Sequence, residues 1–243
     1  KLGNTIVACG GDGHVGRLAK VASKYGVNFG IIPTGVGNDF ASEFGIKSDN
    51  VLSIFHSLSD GKILFVDLGK INEHRFCSVA GVGFSSEANE WANSIKWLPG
   101  KLLYTASVLR TLTKFKPAPI VITIDGKTVE LSVWLVAIAN SRSFGGGMRI
   151  APMASPVDGL LDVVVVGAVS RMEFLRTFPK VFNGNHITHP QITIFKGRRI
   201  RLQQPQSWPH LNVYADGERV GVLPMTFTVG PGILRQLVPK QVP

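Results

Sequence analysis

Cysteine is scarce, with two in 243 residues, Cys9 and Cys77. Two thiols far apart in the chain, each inside an apolar run, cannot form the framework of a disulfide-rich secreted domain, so a reduced, cytoplasmic protein is expected. Long apolar runs are lacking as well. The longest, residues 160–169, is interrupted by Asp162 and is too short to span a bilayer. The opening residues do not read as a signal peptide, so any meeting with a membrane is expected at its surface. Acidic residues are few, 16 Asp and Glu against 26 Lys and Arg, leaving a net charge of +10. That excess suits an anionic partner such as nucleic acid, phospholipid or nucleotide without choosing among them. Repeats and low-complexity tracts are missing too. A hydrophobic content of 44% is enough for one substantial core or two modest ones.

What is present changes texture near residue 66. Before it, apolar runs alternate with amphipathic stretches: a strand at residues 5–9, a helix at 14–25, a strand at 28–33, then helices at 38–44 and 50–58. Such alternation predicts a parallel sheet flanked by helices. Beyond it strands dominate, at residues 64–68, 75–82, 120–124, 128–139, 161–168, 191–194, 200–202, 212–215 and 225–229, with helices only at 100–115 and 171–182. DG dipeptides at Asp125 and Asp216 mark hairpin turns, and the basic run KGRRIR, 196–201, alternates like an exposed strand face. The expected fold is an α/β lobe over residues 1–65, a larger antiparallel β-sandwich lobe over 66–230, and a segment, 231–243, that returns to the first lobe.

Two glycine-rich loops stand out. TIVACGGDGHVG, 5–16, feeds a strand through GGDG into a helix, and IIPTGVGNDFA, 31–41, repeats the arrangement. Glycines there let backbone N–H groups approach phosphate oxygens without Cβ obstruction, and the helix N-terminus favours negative charge. On this reading Gly11 and Gly37 are needed for phosphate approach. Asp12 is not explained by phosphate alone, since its charge repels one unless a cation intervenes.

These loops resemble the paired nucleotide loops of the diacylglycerol kinase catalytic-domain family, which includes bacterial lipid kinases and sphingosine kinases. The likeness continues through FVDLGKINEHRFCSVAGVGF at 65–84, GGGMRIAPMASPVDGLLDVVVV at 145–166 and VYADGERVGVLP at 213–224. The resemblance implies an NAD-kinase-like α/β lobe followed by a β-sandwich lobe, ATP bound in the cleft, and Mg²⁺-assisted transfer of the γ-phosphoryl group to a lipid hydroxyl. It places Gly11, Asp12, Gly13, His14, Thr34, Gly35, Gly37, Asn38 and Asp39 at the nucleotide, with Asp39 and Asp67 in a magnesium-organising network. Asp216 matches the family's general base and Glu218 its neighbour. Asp158 falls where bacterial members hold a structural Mg²⁺. The implied partners are ATP, a lipid alcohol and an anionic membrane surface met peripherally, with no nucleic acid.

The chain departs from the family pattern at three places. GGDG is followed by His14, Gly16 and Arg17 where members carry Thr and then an Asn-Glu pair, and Val157 replaces an acidic residue beside Asp158. The chain also opens about one strand before GGDG, which leaves an apolar sheet edge to be covered by another subunit, as in a homodimer, or by the rest of a longer chain, the latter being favoured. The stretch WLPGKLLYTASVLRTLTKFK, 97–116, reads as an amphipathic helix with basic residues at its C-terminal end, either packed on the core, lining an acyl pocket or lying near anionic headgroups. Two alternatives stay open on the residues themselves: a catalytically impaired lipid- or nucleotide-binding relative, and a kinase for a soluble alcohol such as NAD.

Overall fold

The computed structural model describes residues 4–95 and 100–240. The first apolar run forms β1 (Thr5–Gly10), which passes through Gly11 into α1 (Asp12–Tyr25). Helix α1 buries Val15, Gly16, Ala19, Ala22 and Ser23, one stripe at helical spacing, and ends at Gly26, whose φ of 65° turns its N–H back to the Ala22 carbonyl. Next come β2 (Asn28–Pro33), α2 (Asp39–Glu43) and α3 (Val51–Ser59). Strands β1 and β2 pair in parallel from Thr5↔Asn28 to Gly10↔Pro33, so their glycine loops leave the sheet at one level.

The chain then builds β3 (Lys62–Ile71), β4 (His74–Phe76), β5 (Val79–Gly83), α4 (Phe84–Ser94), α5 (Gly100–Lys114), β6 (Ala118–Ile124), β7 (Lys127–Ala139), β8 (Leu161–Gly167) and α6 (Arg171–Thr177). Short 3₁₀ turns at Phe178–Asn183 and Asn185–Thr188 lead to β9 (Ile192–Gly197), β10 (Arg199–Gln203), β11 (Asn212–Ala215), β12 (Glu218–Val222) and β13 (Met225–Val238). The main strand path runs β1-β2-β13-β10-β6-β7-β5-β11-β12. Strand β1 stands at its end, with Val7 and Cys9 exposed.

Period-two alternation explains the β core. Val136, Ile138, Val163 and Val165 point into one cluster with Ile120, Ile122 and Phe227, whereas Leu135, Ala137, Val164 and Val166 point into another with Phe84, Trp134 and Phe174. Because β8 is buried on both faces, its valines run without a polar break. A third cluster, holding Val15, Phe29, Ile31, Phe40 and Leu234, packs α1 and α2 on the parallel strands. Each large apolar side chain so buried contributes about 1.5–3 kcal/mol.

Four elements differ from the sequence expectation. The single strand expected at 75–82 is broken at Cys77 and Ser78, whose N–H groups bond to the Asp216 carboxylate instead of a neighbouring strand. Helix α4 was not anticipated, because its sequence FSSEANEWANS is rich in Ser and Asn, which favour caps and turns over helix interiors. The helix expected over 171–182 is α-helical only to Thr177 and tightens to a 3₁₀ turn around Pro179. Strand β13 does not stop at Val229: its register with β3 shifts between Gly230 and Leu234, a bulge that accommodates Pro231 and Gly232 and lets the strand run on to pair with β2 at Arg235↔Asn28. Of the stretch 97–116, residues 97–99 lie outside the described residues. Along α5, Val108 and Leu112 are buried and Leu109 is half exposed.

Candidate active site

The two glycine loops touch each other. A Cβ built on Gly35 would lie 2.4 Å from the Gly11 Cα, and one on Gly37 would lie 2.8 Å from Asp12 Oδ2 and 3.2 Å from the Gly146 Cα. Glycine is required at these positions because backbone packs on backbone. At Gly13, in the exposed first turn of α1, an added Cβ would meet nothing within 4 Å. That turn carries N–H groups lacking an intrahelical acceptor, so it is open to an anion. His14 is exposed beside it.

The second loop is held by its own asparagine. Asn38 adopts a left-handed conformation, φ 54°, and its side chain accepts from the Gly35 N–H at 2.9 Å and donates to the Gly35 carbonyl at 2.7 Å. Thr34 is exposed, and its N–H bonds to the Gly10 carbonyl at 3.1 Å, tying the loops together. Asp12 Oδ1 accepts from the Phe40 N–H at 3.2 Å.

A third glycine loop comes from the β half. Gly145, Gly146 and Gly147 all have positive φ, and the N–H groups of Gly146 and Gly147 donate to the two oxygens of Asp39 at 2.7 and 2.8 Å. Burial pushes the Asp39 carboxyl above its ordinary range; the Gly146 N–H lowers it and neighbouring Asp12 raises it again. Beside this contact Arg142 bonds Glu43, with Nε 3.5 Å from Oε1. In the sequence this loop opened the family-like stretch 145–166, but no site role was assigned to it.

Asp216 sits at the tip of the β11–β12 hairpin. Both turn residues have positive φ, 48° at Asp216 and 81° at Gly217, as a two-residue Asp-Gly turn requires. The side chain is not solvated like an ordinary turn aspartate. Its Oδ2 accepts from the Cys77 N–H at 2.8 Å and its Oδ1 from the Ser78 N–H at 2.9 Å, while Lys20 Nζ stands 3.9 Å away. Burial raises the Asp216 carboxyl, opposed by the Cys77 N–H, the Lys20 charge and the Ser78 and Val79 N–H groups. Glu218 is half exposed. It meets Arg17 Nε at 2.9 Å and Lys20 Nζ at 3.8 Å. Arg17, which reverses the family's charge at its position, is thereby neutralised by the hairpin. Lys20 carried no sequence signal, since only the fold brings α1 beside a turn almost two hundred residues away.

Asp12, Asp39 and Asp216 line one cleft of about 210 Å³ together with Ser78, Ser85 and Tyr214. Against it lies a second cavity, about 70 Å³ and apolar, walled by Phe84, Met148, Ile150, Phe174, Phe178 and Val181. Ser85, Leu135 and Phe144 border both.

The two residues expected at metal lie outside this cleft. Asp67 is 3% exposed, and its oxygens accept the Gly159 N–H at 2.7 Å and the Gly232 N–H at 2.6 Å, so it ties β3 to the turn before β8 and to the bulge of β13. Buried Asn140 completes this knot, donating to the carbonyls of Asp67 and Cys77 at 2.9 Å each. Asp158 meets an ammonium: Lys196 Nζ is 3.2 Å from Asp158 Oδ2, 3.3 Å from Asp162 Oδ2 and 3.4 Å from the Met153 carbonyl. Among the described residues no group of three or more His, Cys, Asp and Glu side chains is arranged to hold a metal ion.

The profile of the diacylglycerol kinase catalytic domain matches residues 1–71, and that of the YegS C-terminal NAD kinase beta sandwich-like domain matches residues 78–238. The chain is 33% identical over 243 residues to a diacylglycerol kinase of Mycobacterium tuberculosis (strain ATCC 25618 / H37Rv), covering 98% of this chain and 77% of that protein. It is 27% identical over 241 residues to a diacylglycerol kinase of Bacillus subtilis (strain 168), covering 97% and 78%. In fold it is similar to a crystal structure of a diacylglycerol kinase from Bacillus anthracis str. Sterne, with a TM-score of 0.73, 20% identity, and 99% and 78% of the two chains covered. A more distant likeness is to yeast NADH kinase, with a TM-score of 0.50, 13% identity, and 96% and 60% covered.

Proposed function

The chain belongs to the diacylglycerol kinase catalytic-domain family, and from that premise we propose that it transfers the γ-phosphoryl group of ATP to the hydroxyl of a diacylglycerol-like lipid. One observation carries this reading: the cleft that holds Asp12, Asp39 and Asp216 shares three wall residues with an apolar cavity. A reacting hydroxyl attached to an acyl chain needs a carboxylate on one side and hydrocarbon on the other. NAD or another soluble alcohol has no use for the second.

In the proposed step the glycine loops around Gly11, Gly13, Gly35 and Gly37 hold the phosphates, with Thr34 and His14 at the rim. Asn38 keeps the second loop in shape, and Asp39 docks the third glycine loop against it. Asp12, which lines the cleft, is the carboxylate that would hold a Mg²⁺ arriving with the nucleotide, and such an ion would supply neutralisation of phosphate charge. The lipid hydroxyl oxygen bonds to the γ-phosphorus as the bond to the ADP oxygen breaks, and its proton passes to Asp216. The two N–H bonds at Asp216 fix the carboxylate and leave each oxygen a further lone pair for the hydroxyl. Glu218, through Lys20, orients it. The first carbons of an acyl chain enter the apolar cavity, and the rest extends outward. We further propose two lobes, residues 1–65 and 66–230, with 231–243 returning to the first, and peripheral action at a membrane. No helix among the described residues is long and apolar enough to cross one.

Radiolabelled phosphate transfer over lipid extracts and NAD tests the class: label in a lipid supports the proposal, and label in NAD alone replaces it. Asp216→Asn should lower single-turnover transfer by about 10²–10⁴, the usual worth of a general base. Because Asn also turns an N–H₂ toward Cys77 or Ser78, a thermal melt and an ATP titration accompany the measurement. A wild-type rate in Asp216→Asn would remove this residue from the chemistry.

A further inference from the structure

The element that walls the apolar cavity has a second face with no role in it. Phe174, Phe178 and Val181 point inward, and Phe174 packs with its ring centre 4.7 Å from Phe84 and 4.9 Å from Trp134. Between and beside these positions the pattern inverts. Met172 is 59% exposed, Leu175 36% and Phe182 51%. Met172, Leu175 and Pro179 recur at helical spacing, so they form an outward apolar stripe. Arg171, Arg176 and Lys180 are interspersed with this stripe and exposed, and among the described residues none of them is in an ion pair. The one carboxylate of the segment, Glu173, is engaged by His189 at 3.0 Å. A short helical segment that presents apolar tips among unpaired cations, directly above a cavity walled by its own inner face, has the chemistry of a bilayer contact rather than of a solvated surface.

We propose that residues 171–183 form the membrane-docking face, laying Met172, Leu175 and Phe182 into the headgroup region of a bilayer while Arg171, Arg176 and Lys180 meet anionic lipid. The inference deepens the lipid-kinase reading and rests on it for its purpose: docking here brings the bilayer against the wall of the apolar cavity, so an acyl chain reaches Phe174 and Phe178 without crossing water. The charge pattern commits the face to an anionic bilayer rather than a second copy of the chain, because two such faces would oppose three unpaired cations each.

The test uses the whole chain and vesicles of phosphatidylcholine with or without phosphatidylglycerol, read by co-sedimentation. Wild type is expected to bind the anionic vesicles. The triple variant Met172→Ser, Leu175→Ser, Phe182→Ser should bind both vesicle types at least about tenfold more weakly, since each exposed apolar side chain loses its burial. Arg176→Glu with Lys180→Glu should weaken binding to anionic vesicles alone, by about fivefold or more per cation at low salt. The two charge reversals lie on exposed side chains and should leave the melting temperature at the wild-type value, while the triple variant, which loses the edge-on contact of Phe182 with Phe178 at 6.4 Å, should still melt cooperatively within a few degrees of it, about 2–4 °C per kcal/mol lost. Phosphorylation of a dispersed short-chain diacylglycerol should also persist in the triple variant, while phosphorylation of the same headgroup in vesicles falls with binding. Wild-type vesicle binding in the variants, or no binding by wild type, overturns the proposal. So does a dimer in sedimentation that the triple variant abolishes, which would assign the face to a second copy. A chain that binds vesicles through this face yet phosphorylates no lipid would instead remove the kinase reading.

Discussion

Asp216 illustrates how a residue acquires chemistry from its surroundings. An Asp-Gly turn is ordinary, but this one aims its carboxylate at two backbone N–H groups and at Lys20. Burial raises the carboxyl and Lys20 opposes that. The other titratable groups around it are Glu218, the Cys77 thiol, itself pushed far up by burial, and Asp12, Asp39 and Tyr214 on the walls of the same cleft. Removing the ammonium in Lys20→Met therefore raises the Asp216 carboxyl further. If the ionised form is the base, the acid limb of the turnover profile moves to higher pH, while Lys20→Arg keeps it in place. A pH–rate series on the three proteins checks this, and coincident profiles would exclude Lys20 from positioning the base. Gly13 offers a second probe. Gly11→Val or Gly37→Val would disturb loop packing as well as phosphate approach, but a methyl at Gly13 meets no protein atom. Gly13→Ala should leave the melt unchanged or raise stability by up to about 1 kcal/mol, since alanine is the better helix residue. ATP affinity should fall about tenfold if phosphate lies there, read by calorimetric titration.

At the scale of elements, the β8–β9 ladder sets one ammonium between two carboxylates. Asp162 and Lys196 are direct cross-strand partners, and the turn before β8 supplies Asp158 and the Met153 carbonyl to the same Nζ. Asp162 is 1% exposed, and burial raises its carboxyl while Lys196 lowers it. A buried carboxylate with its only partner removed is costly, about 3–5 kcal/mol for a fully buried pair. Lys196 is partly solvated, so Lys196→Met should cost about 1–3 kcal/mol in urea unfolding. The wild-type melting temperature should not change when EDTA or Mg²⁺ is added without nucleotide. A melting temperature that drops in EDTA would put a structural divalent cation back at Asp158.

Across the whole molecule, the cleft exists because two halves of different architecture are tied at a few points. Strand β13 runs through both, pairing with β2 at one end and β10 at the other. Asp39 holds the third glycine loop to α2, and Asp67 ties β3 to the turn at Gly159 and the β13 bulge at Gly232. Hydrogen bonds to a charged group are worth about 1.5–3 kcal/mol each, partly offset here by the burial of that charge. Asp39→Ala should thus lose about 1–3 kcal/mol and weaken ATP binding as the loops part. Faster hydrogen exchange at Gly146 and Gly147 would locate the loss; protection unchanged at both amides would show that the halves are held elsewhere.

The chain's local chemistry determined a good deal by itself. Apolar runs ending in glycine loops required strand-to-helix turns, the alternation of β7 required a two-faced strand, and Asp-Gly at 216 required a tight hairpin, because each depends only on backbone freedom and side-chain period over a few residues. The same local reading joined residues 75–82 into one strand and ended β13 at Val229, since neither a carboxylate from a distant hairpin nor a bulge at Pro231 is written in the neighbouring letters. Only the tertiary structure decided which carboxylates share a cleft, that Asp67 and Asp158 face backbone N–H groups and an ammonium, and that Arg17 and Lys20 stand against the hairpin. Those relations are distances between residues far apart in sequence, and strand order sets them.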